Sequence, residues 1–437
     1  METVDLNVDY LLLTGVLPPP NTGPVEYYGD HCKPGTALDA AARVFRSSID
    51  RAITNPNLER EPRTLLWLTH DEAAESALNL GVTPVGQFIS GKLRSLGEAR
   101  VLGLSVMWEW QVIPGLFISY VSKKLWPETT VVWGGSHVTA LYDKIAADPT
   151  YGKFVDGFLP FHSEGSFIQL LEGPRSLSSV DGMIIAGRGI PQTRPREVRP
   201  PANPSFPELG QYGRPRLMLP IELSTGCPYA LCKFCTYPDI EPEYLEYGFG
   251  QLDHLIGLAS AESAAISFKD SYVLHNRLQK IGERIKGAVP WSATTKLHPK
   301  LNSDLLGQLA SDGVKTFEVG LETLDDDSQR LIDKRQPLGW LEQFLQGCAR
   351  HGISAIVNYM TGFPGEDESR AQGLLRSLDK RLLQMRNKDR LVARTEPHKF
   401  RLERMSEMAR RPELFGIEVV QEWPWSSVLK WKPTPRD

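Results

Sequence analysis

Short apolar runs separated by helix-length stretches recur along most of this chain, and few folds accommodate such a pattern. In the first part they are "DYLLLTGV" (9–16), "RTLLWLTH" (63–70), "ARVLGLSVMW" (99–108), "TTVVWGG" (129–135) and "KFVDGFLPF" (153–161). Apolar runs of four to eight residues mark strands buried on both faces, and the spacers mark crossover helices. Residues 1–175 therefore read as a doubly wound α/β domain.

The pattern stops at "IPQTRPREVRPPANPSFPELGQYGRP", which holds seven prolines between Pro191 and Pro215. Proline fixes φ and removes a backbone donor, so this stretch forms neither regular helix nor internal strand. Residues 176–215 read as a linker. The alternation then resumes with "LMLPIELS" (217–224), "AAISFKD" (264–270), "VPWSATT" (289–295), "KTFEVGLE" (315–322), "ISAIVNYMTG" (353–362) and "HKFRLE" (398–403). Between these runs lie helical stretches such as "NSDLLGQLASDG" and "LGWLEQFLQGCARHG", each closed by a glycine suited to a helix end. Six βα units over 216–408 predict a partial (β/α)6 barrel of the TIM type, whose functional loops follow the carboxyl ends of the strands. The tail, 409–437, is short and aromatic-rich and reads as packing.

At 437 residues and 41% hydrophobic, the chain has material for two or three buried cores. A formal charge of -4, from 49 basic and 53 acidic residues, provides no field for holding a polyanion, so nucleic acid is not an expected partner. The start, "METVDLNVDYLLLTGV", lacks the basic flank and length of a signal peptide, and no run approaches the ~20 apolar residues that span a bilayer. The expectation is a cytoplasmic protein that does not enter a membrane.

Three of the five cysteines fall in "STGCPYALCKFCTYP" (224–238), at Cys227, Cys232 and Cys235, directly after the first barrel run. In a reducing compartment such a cluster binds metal more often than it forms disulfides. A structural zinc site takes four ligands, and here only His254, in an amphipathic helix, stands in reach of completing one. A redox C-x-x-C leaves Cys227 without a role. A 4Fe–4S cluster held by three thiolates keeps one iron open to a substrate or cofactor.

These residues resemble the radical S-adenosylmethionine (SAM) enzymes, in which three cysteines follow the first barrel strand and an aromatic residue, here Phe234, precedes the last of them. The usual spacing in that family is C-x3-C-x2-C, whereas this chain has C-x4-C-x2-C. Three further segments carry the resemblance: "ISFKDSYV" (266–273), "EVGLETLDDDSQRLIDK" (318–334) and "VNYMTGFPGED" (357–367). The resemblance implies a 4Fe–4S cluster on Cys227, Cys232 and Cys235, with SAM contacted by Phe234, Asp270, Ser271, Glu322, Lys334 and Gly362. It implies reductive cleavage of SAM to a 5'-deoxyadenosyl radical, fed by an electron donor such as flavodoxin or ferredoxin.

In the first domain, "LGLSVMWEW" and "VVWGGSHVTAL" resemble the Rossmann-like cobalamin-binding domain that precedes the barrel in one branch of the family. By that resemblance Ser105, Gly134, Gly135 and Glu164 contact cobalamin. The D-x-H-x-x-G spacing of a cobalt-ligating histidine is missing, since Asp30 and His31 are adjacent. The branch implies methylation of an unactivated carbon of a small-molecule or peptide substrate in a specialised-metabolite pathway. Two alternatives stand beside it: a radical SAM enzyme with an empty or repurposed first domain, performing sulfur insertion, rearrangement or cyclisation, and a zinc-stabilised binding protein without enzymatic activity. No residue pattern names the substrate, a catalytic residue or the oligomeric state.

Overall fold

The computed structural model describes residues 47–53, 68–146, 148–188, 203, 217–386, 392–395 and 397–434. The chain divides into two compact units. One comprises Met1–Arg199, Gly210–Pro215 and Gln421–Leu429, and the other Pro200–Leu209, Arg216–Val420 and Lys430–Asp437.

The first unit is built on a sheet of β1 (Val101–Ser105), β2 (Thr130–Gly134), β3 (Gly157–Leu159) and β4 (Ile184–Ile185), in that order. The first three are parallel and β4 closes the edge antiparallel. The apolar run at 9–16 and most of that at 63–70 lie outside the described residues, as do Asp30, His31 and Cys32.

Both faces of this sheet are covered, because successive side chains on a strand point to opposite sides. Trp133 is fully buried against the helix Val112–Leu125, where its indole N–H donates to Ser119 Oγ at 2.9 Å. Its neighbour Val132 faces the other way, into a cluster with Leu159, Leu170, Val180 and Met183. This is the doubly wound arrangement that the alternating runs predict. The helices begin where the sequence supplies caps: Thr69 and Glu72 form a capping box for His70–Leu80, and Thr83 caps Pro84–Ser95 with proline at its first position.

Part of the C-terminal tail belongs to this unit. Trp425 is fully buried, with its ring 4.6 Å from Tyr151, 6.0 Å from Trp133 and 6.3 Å from His70 between centroids. Polar ties hold the backbone around it. The buried His137 donates from Nε2 to the Trp425 carbonyl (3.1 Å), and the Glu109 carboxylate accepts from Ser426 Oγ (2.7 Å) and Ser427 N (2.8 Å).

The second unit contains β5 (Met218–Ile221), a small antiparallel pair of β6 (Ser224–Thr225) and β7 (Leu245–Glu246), then β8 (Ala265–Phe268), β9 (Trp291–Thr295), β10 (Val314–Glu322), β11 (Ser354–Thr361), β12 (Val392–Arg394) and β13 (His398–Lys399). Its main sheet runs β5-β8-β9-β10-β11-β12, parallel throughout, with helices between successive strands. This is the six-stranded partial barrel expected from the sequence.

Its last strand needs a correction. "HKFRLE" was the expected sixth strand, but that place is taken by Val392–Arg394, while His398 and Lys399 pair farther along β11 with Met360 and Thr361. β11 is eight residues long and offers ladder to both. Of the true strand only Val392 enters the core, while Arg394 turns to Asp379 (2.6 Å), so no apolar run marks it.

The core lies between sheet and helices. Phe317, Val319 and Leu321 of β10 are fully buried in it, and the Phe317 ring lies 6.0 Å from that of Phe344 and 6.2 Å from that of Trp291. Each such side chain removed from water contributes about 1.5–3 kcal/mol. Gly313, after the helix Ser303–Ser311, sits at φ 102°, and a Cβ there would lie 2.7 Å from the Val289 carbonyl oxygen, so both conformation and space require glycine. Among the described residues no helix is long and apolar enough to cross a membrane.

Two outcomes follow for the first unit. Trp425→Ala should lower stability by about 3–5 kcal/mol in chemical denaturation, since it empties an aromatic site. Burial holds the imidazole of His137 down at about 4, against its hydrogen bond to the Trp425 carbonyl. The unfolded chain, with an ordinary pKa near 6.5, therefore binds the proton first. Stability should fall as pH drops from about 6.5 towards 4, and His137→Gln should flatten that part of a stability–pH curve.

Candidate metal centre at the barrel mouth

The cysteine loop leaves the carboxyl end of β5 and is tied at each step. Gly226, just before Cys227, has φ 73°, and a Cβ on it would lie 2.3 Å from the Glu243 carbonyl oxygen. The Glu241 carboxylate accepts from Gly226 N (2.7 Å) and Thr225 Oγ (2.8 Å), and Ser271 Oγ donates to the Gly226 carbonyl (2.8 Å). Farther along, Tyr229 donates its hydroxyl to the Asp333 carbonyl (2.6 Å), and Lys233 N donates to the Ile332 carbonyl (3.0 Å). Lys233 Nζ pairs with Glu407 at 2.8 Å.

All three thiols are free and half-buried, and two already accept backbone hydrogen bonds: Cys227 Sγ from Ala230 N and Cys235 Sγ from Tyr237 N, each at 3.4 Å. Burial pushes the Cys235 thiol up to about 12 and raises Cys232, which Lys334 pulls the other way. Thiols this reluctant to ionise alone lose their protons by binding a metal. Among the described residues no three His, Cys, Asp or Glu side chains converge as on a single ion. Three free thiols on one braced loop at the strand ends are the donor set that a 4Fe–4S group held by three ligands requires.

Beside the loop, β10 ends in Glu322, at φ 69°, whose carboxylate meets Lys334 Nζ at 3.0 Å. Side-chain exposures of 12% and 15% make this a largely desolvated pair. Burial alone would depress the Lys334 ammonium, but Glu322, and after it Cys232, hold it above the usual lysine range. Gly320 makes room for the pair, since a Cβ there would lie 2.5 Å from Glu322 Oε1 and 3.0 Å from Lys334 Nζ. Non-glycine residues at positive φ gather here, at Ala230, Glu322, Asp333 and Arg335, four of the seven among the described residues. Such strain persists where surroundings enforce it, often at functional sites.

The other predicted residues divide into those near the loop and those that support it. The Phe234 ring lies 6.3 Å from that of Phe363 and 6.0 Å from Lys334 Nζ. Gly362, at φ 80°, donates its N–H to the Glu366 carboxylate. Asp270 is buried, which raises its carboxyl pKa, and it accepts from Leu223 N (3.1 Å) and Ser224 Oγ (2.5 Å). Asp270 and Ser271 thus brace the strand end and the residue before Cys227. Cys348 is in the hydrophobic core, away from this chemistry.

The sequence reading missed Lys296, directly after β9. Its Nζ donates to the Lys334 carbonyl (2.6 Å) and lies 3.9 Å over the Tyr229 ring. Burial, and then the nearby Lys334, pull it down to about 8. Its place immediately beyond a barrel strand was the available signal.

In the first unit the candidate edge is the carboxyl end of its parallel strands, where open α/β sheets bind ligands. Ser105 ends β1 in register with Gly134, and Glu164 is the exposed first residue of the helix Glu164–Glu172. Gly134 and Gly135 are explained by chain packing: a Cβ on Gly134 would lie 3.1 Å from the Leu159 carbonyl oxygen, and one on Gly135, at φ 101°, 2.5 Å from that of Val106. What suits a large ligand here is the segment after β1, where Met107, Trp108 and Trp110 are 43%, 62% and 38% exposed. Exposed apolar side chains at this edge provide a surface on which the apolar face of a large ligand can rest.

No protein-family model and no curated protein matches this chain. Solved structures do. The radical S-adenosylmethionine methyltransferase TsrM from Kitasatospora setae, with tryptophan and the SAM analogue aza-SAM bound, superposes at a TM-score of 0.61 with 15% identity, over 86% of this chain and 84% of that one. TsrM with cobalamin and a 4Fe–4S cluster superposes at 0.60 with 14% identity. The cobalamin-dependent SAM radical enzyme OxsB with aqua-cobalamin gives 0.62 at 14% identity, over 83% of this chain and 61% of OxsB. The chain shares the fold of cobalamin-dependent radical SAM enzymes, a Rossmann-like domain joined to a partial barrel.

Lys334→Met leaves the Glu322 carboxylate without its cation in a desolvated place and should cost about 3–5 kcal/mol in chemical denaturation. Replacing both partners, with Glu322→Leu added, should recover most of that loss.

Proposed function

We propose that this chain is a cobalamin-dependent radical SAM enzyme that methylates an unactivated carbon in a specialised-metabolite pathway. The observation that carries the reading is the braced three-thiol loop at the carboxyl ends of the barrel strands, beside the Glu322–Lys334 pair. Cys227, Cys232 and Cys235 would hold the cluster, with one iron left for SAM. Phe234, Glu322, Lys334 and Gly362 border the SAM site, while Asp270 and Ser271 keep the loop in place. When bound, the cluster and SAM would supply radical chemistry for removing a hydrogen atom from the substrate, and cobalamin, charged by a second SAM, would supply the methyl group. Met107, Trp108 and Trp110 give cobalamin an apolar seat beyond Ser105. The chain's part is to position both groups and exclude water. The electron comes from a donor of the flavodoxin or ferredoxin kind.

A second reading keeps the radical chemistry and drops cobalamin, with sulfur insertion, rearrangement or cyclisation as the reaction. Gly134 and Gly135 favour it, because their lack of side chains is accounted for by the chain itself.

Protein purified anaerobically and reconstituted with iron, sulfide and hydroxocobalamin distinguishes the two. We expect iron, acid-labile sulfide and cobalt to co-purify and 5'-deoxyadenosine to form on reduction in the presence of SAM. Binding of iron without cobalt selects the second reading, and zinc without iron or sulfide rejects both. Replacing Cys227, Cys232 and Cys235 by Ala should abolish the cluster absorbance and SAM cleavage, and Cys348→Ala should leave both unchanged.

A further inference from the structure

The barrel holds an ionisable group that the metal centre does not use. On β10, Phe317, Val319 and Leu321 enter the core under the helices, so Thr316, Glu318 and Gly320 face the other way, into the barrel. On β11, Val357 and Tyr359 enter the same core, which puts Ile356 and Asn358 on the inner face. Glu318 is in register with Thr294 on one side and Ile356 on the other, in the middle of the sheet.

Its carboxylate accepts from Asn358 Nδ2 at 2.7 Å, and both side chains are half-buried. Among the described residues Glu318 has no other hydrogen-bond donor and no cation. Beside Ile356, the nearby inner positions carry hydroxyls and no charge, with Ser292 Oγ donating to Ser267 Oγ at 3.3 Å and Thr316 buried. The lysines of the metal centre are committed elsewhere, Lys334 to Glu322 and Lys296 to the Lys334 carbonyl.

A carboxylate with a single donor on the inner face of the barrel has acceptor capacity to spare, and a ligand that brings a positive charge is held by it. Among the described residues neither the second oxygen of Glu318 nor the amide oxygen of Asn358 accepts a hydrogen bond, and two such acceptors on hydrogen-bonded neighbours suit the several N–H donors of an ammonium group. We propose that Glu318 and Asn358 receive a basic nitrogen of the substrate, and that the substrate class is a primary amine. This rests on the reading of the chain as a radical SAM enzyme whose substrate enters the barrel.

The test uses the full chain, reconstituted anaerobically and incubated with SAM and a defined mixture of small primary amines, each accompanied by its alcohol and carboxylic acid counterparts. Compounds retained on ultrafiltration are measured by mass spectrometry for the wild type and for Glu318→Gln, which keeps the size and the contact with Asn358. We expect one or more amines to be retained over their counterparts, and retention to drop by about tenfold or more in Glu318→Gln, the scale of one charge-assisted hydrogen bond. SAM should be retained equally by both proteins. If amine retention is the same in Glu318→Gln, if acids or alcohols are retained instead, or if SAM is bound and no amine is, the assignment is overturned. If the wild type retains no SAM, the enzyme reading itself fails, and that failure is visible in the same spectra.

Discussion

The ion pair between Glu322 and Lys334 holds together the part of the barrel on which the cysteine loop depends. Two charges at this depth cost desolvation energy, which their 3.0 Å contact offsets only while the geometry is kept. Gly320 leaves the space, and the left-handed backbone at Glu322 turns the strand end towards it. With Lys334 in place, the carbonyls of Ile332 and Asp333 face the loop and receive Lys233 N and the Tyr229 hydroxyl. The longest strand of the sheet thereby sets the position of the thiols. A parallel sheet buried beneath its helices offers few such fixed points at its mouth, and here one pair provides several.

The same strand divides the barrel chemically. Its alternation sends Phe317, Val319 and Leu321 to the core and Glu318 and Gly320 to the interior. Packing and chemistry are thus carried by interleaved residues of one element. The core side of the strand is apolar, while the inner side gathers Ser267, Ser292, Thr316 and Asn358 around Glu318, with Ile356 among them.

Much of this was legible in the sequence because buried parallel strands must be written as short apolar runs, and five of the six barrel strands were. The sixth was not, since Val392–Arg394 contributes one core side chain and has no run to display. The three cysteines stood out by their clustering, and the family resemblance gave them a role. Their supports were not legible: Asp270 and Ser271 were read as cofactor contacts, and the structure turns them to Leu223, Ser224 and Gly226. Lys296 and Glu318 escaped for a related reason, because a lone charged residue at a strand end or on a strand's inner face carries no pattern, and only tertiary pairing shows what it faces. Trp425 lies far in sequence from Trp133, Tyr151 and His70, and no periodicity connects them.

The spacing C-x4-C-x2-C is the chain's main departure from the family it resembles, and the loop shows how the additional residue is absorbed. Ala230 takes a left-handed turn at φ 50°, a conformation that costs an L-residue about 1–2 kcal/mol. That turn directs its N–H onto Cys227 Sγ and leaves Tyr229 anchored at one end to Asp333 and covered on its face by Lys296. Hydrogen bonds to thiolate sulfurs and nearby positive charge both favour the reduced form of an iron–sulfur cluster. For the cluster proposed here, the longer spacer therefore acts as more than slack, since within it Ala230 gives a backbone donor to one ligand and Tyr229 lies against the lysine that follows β9.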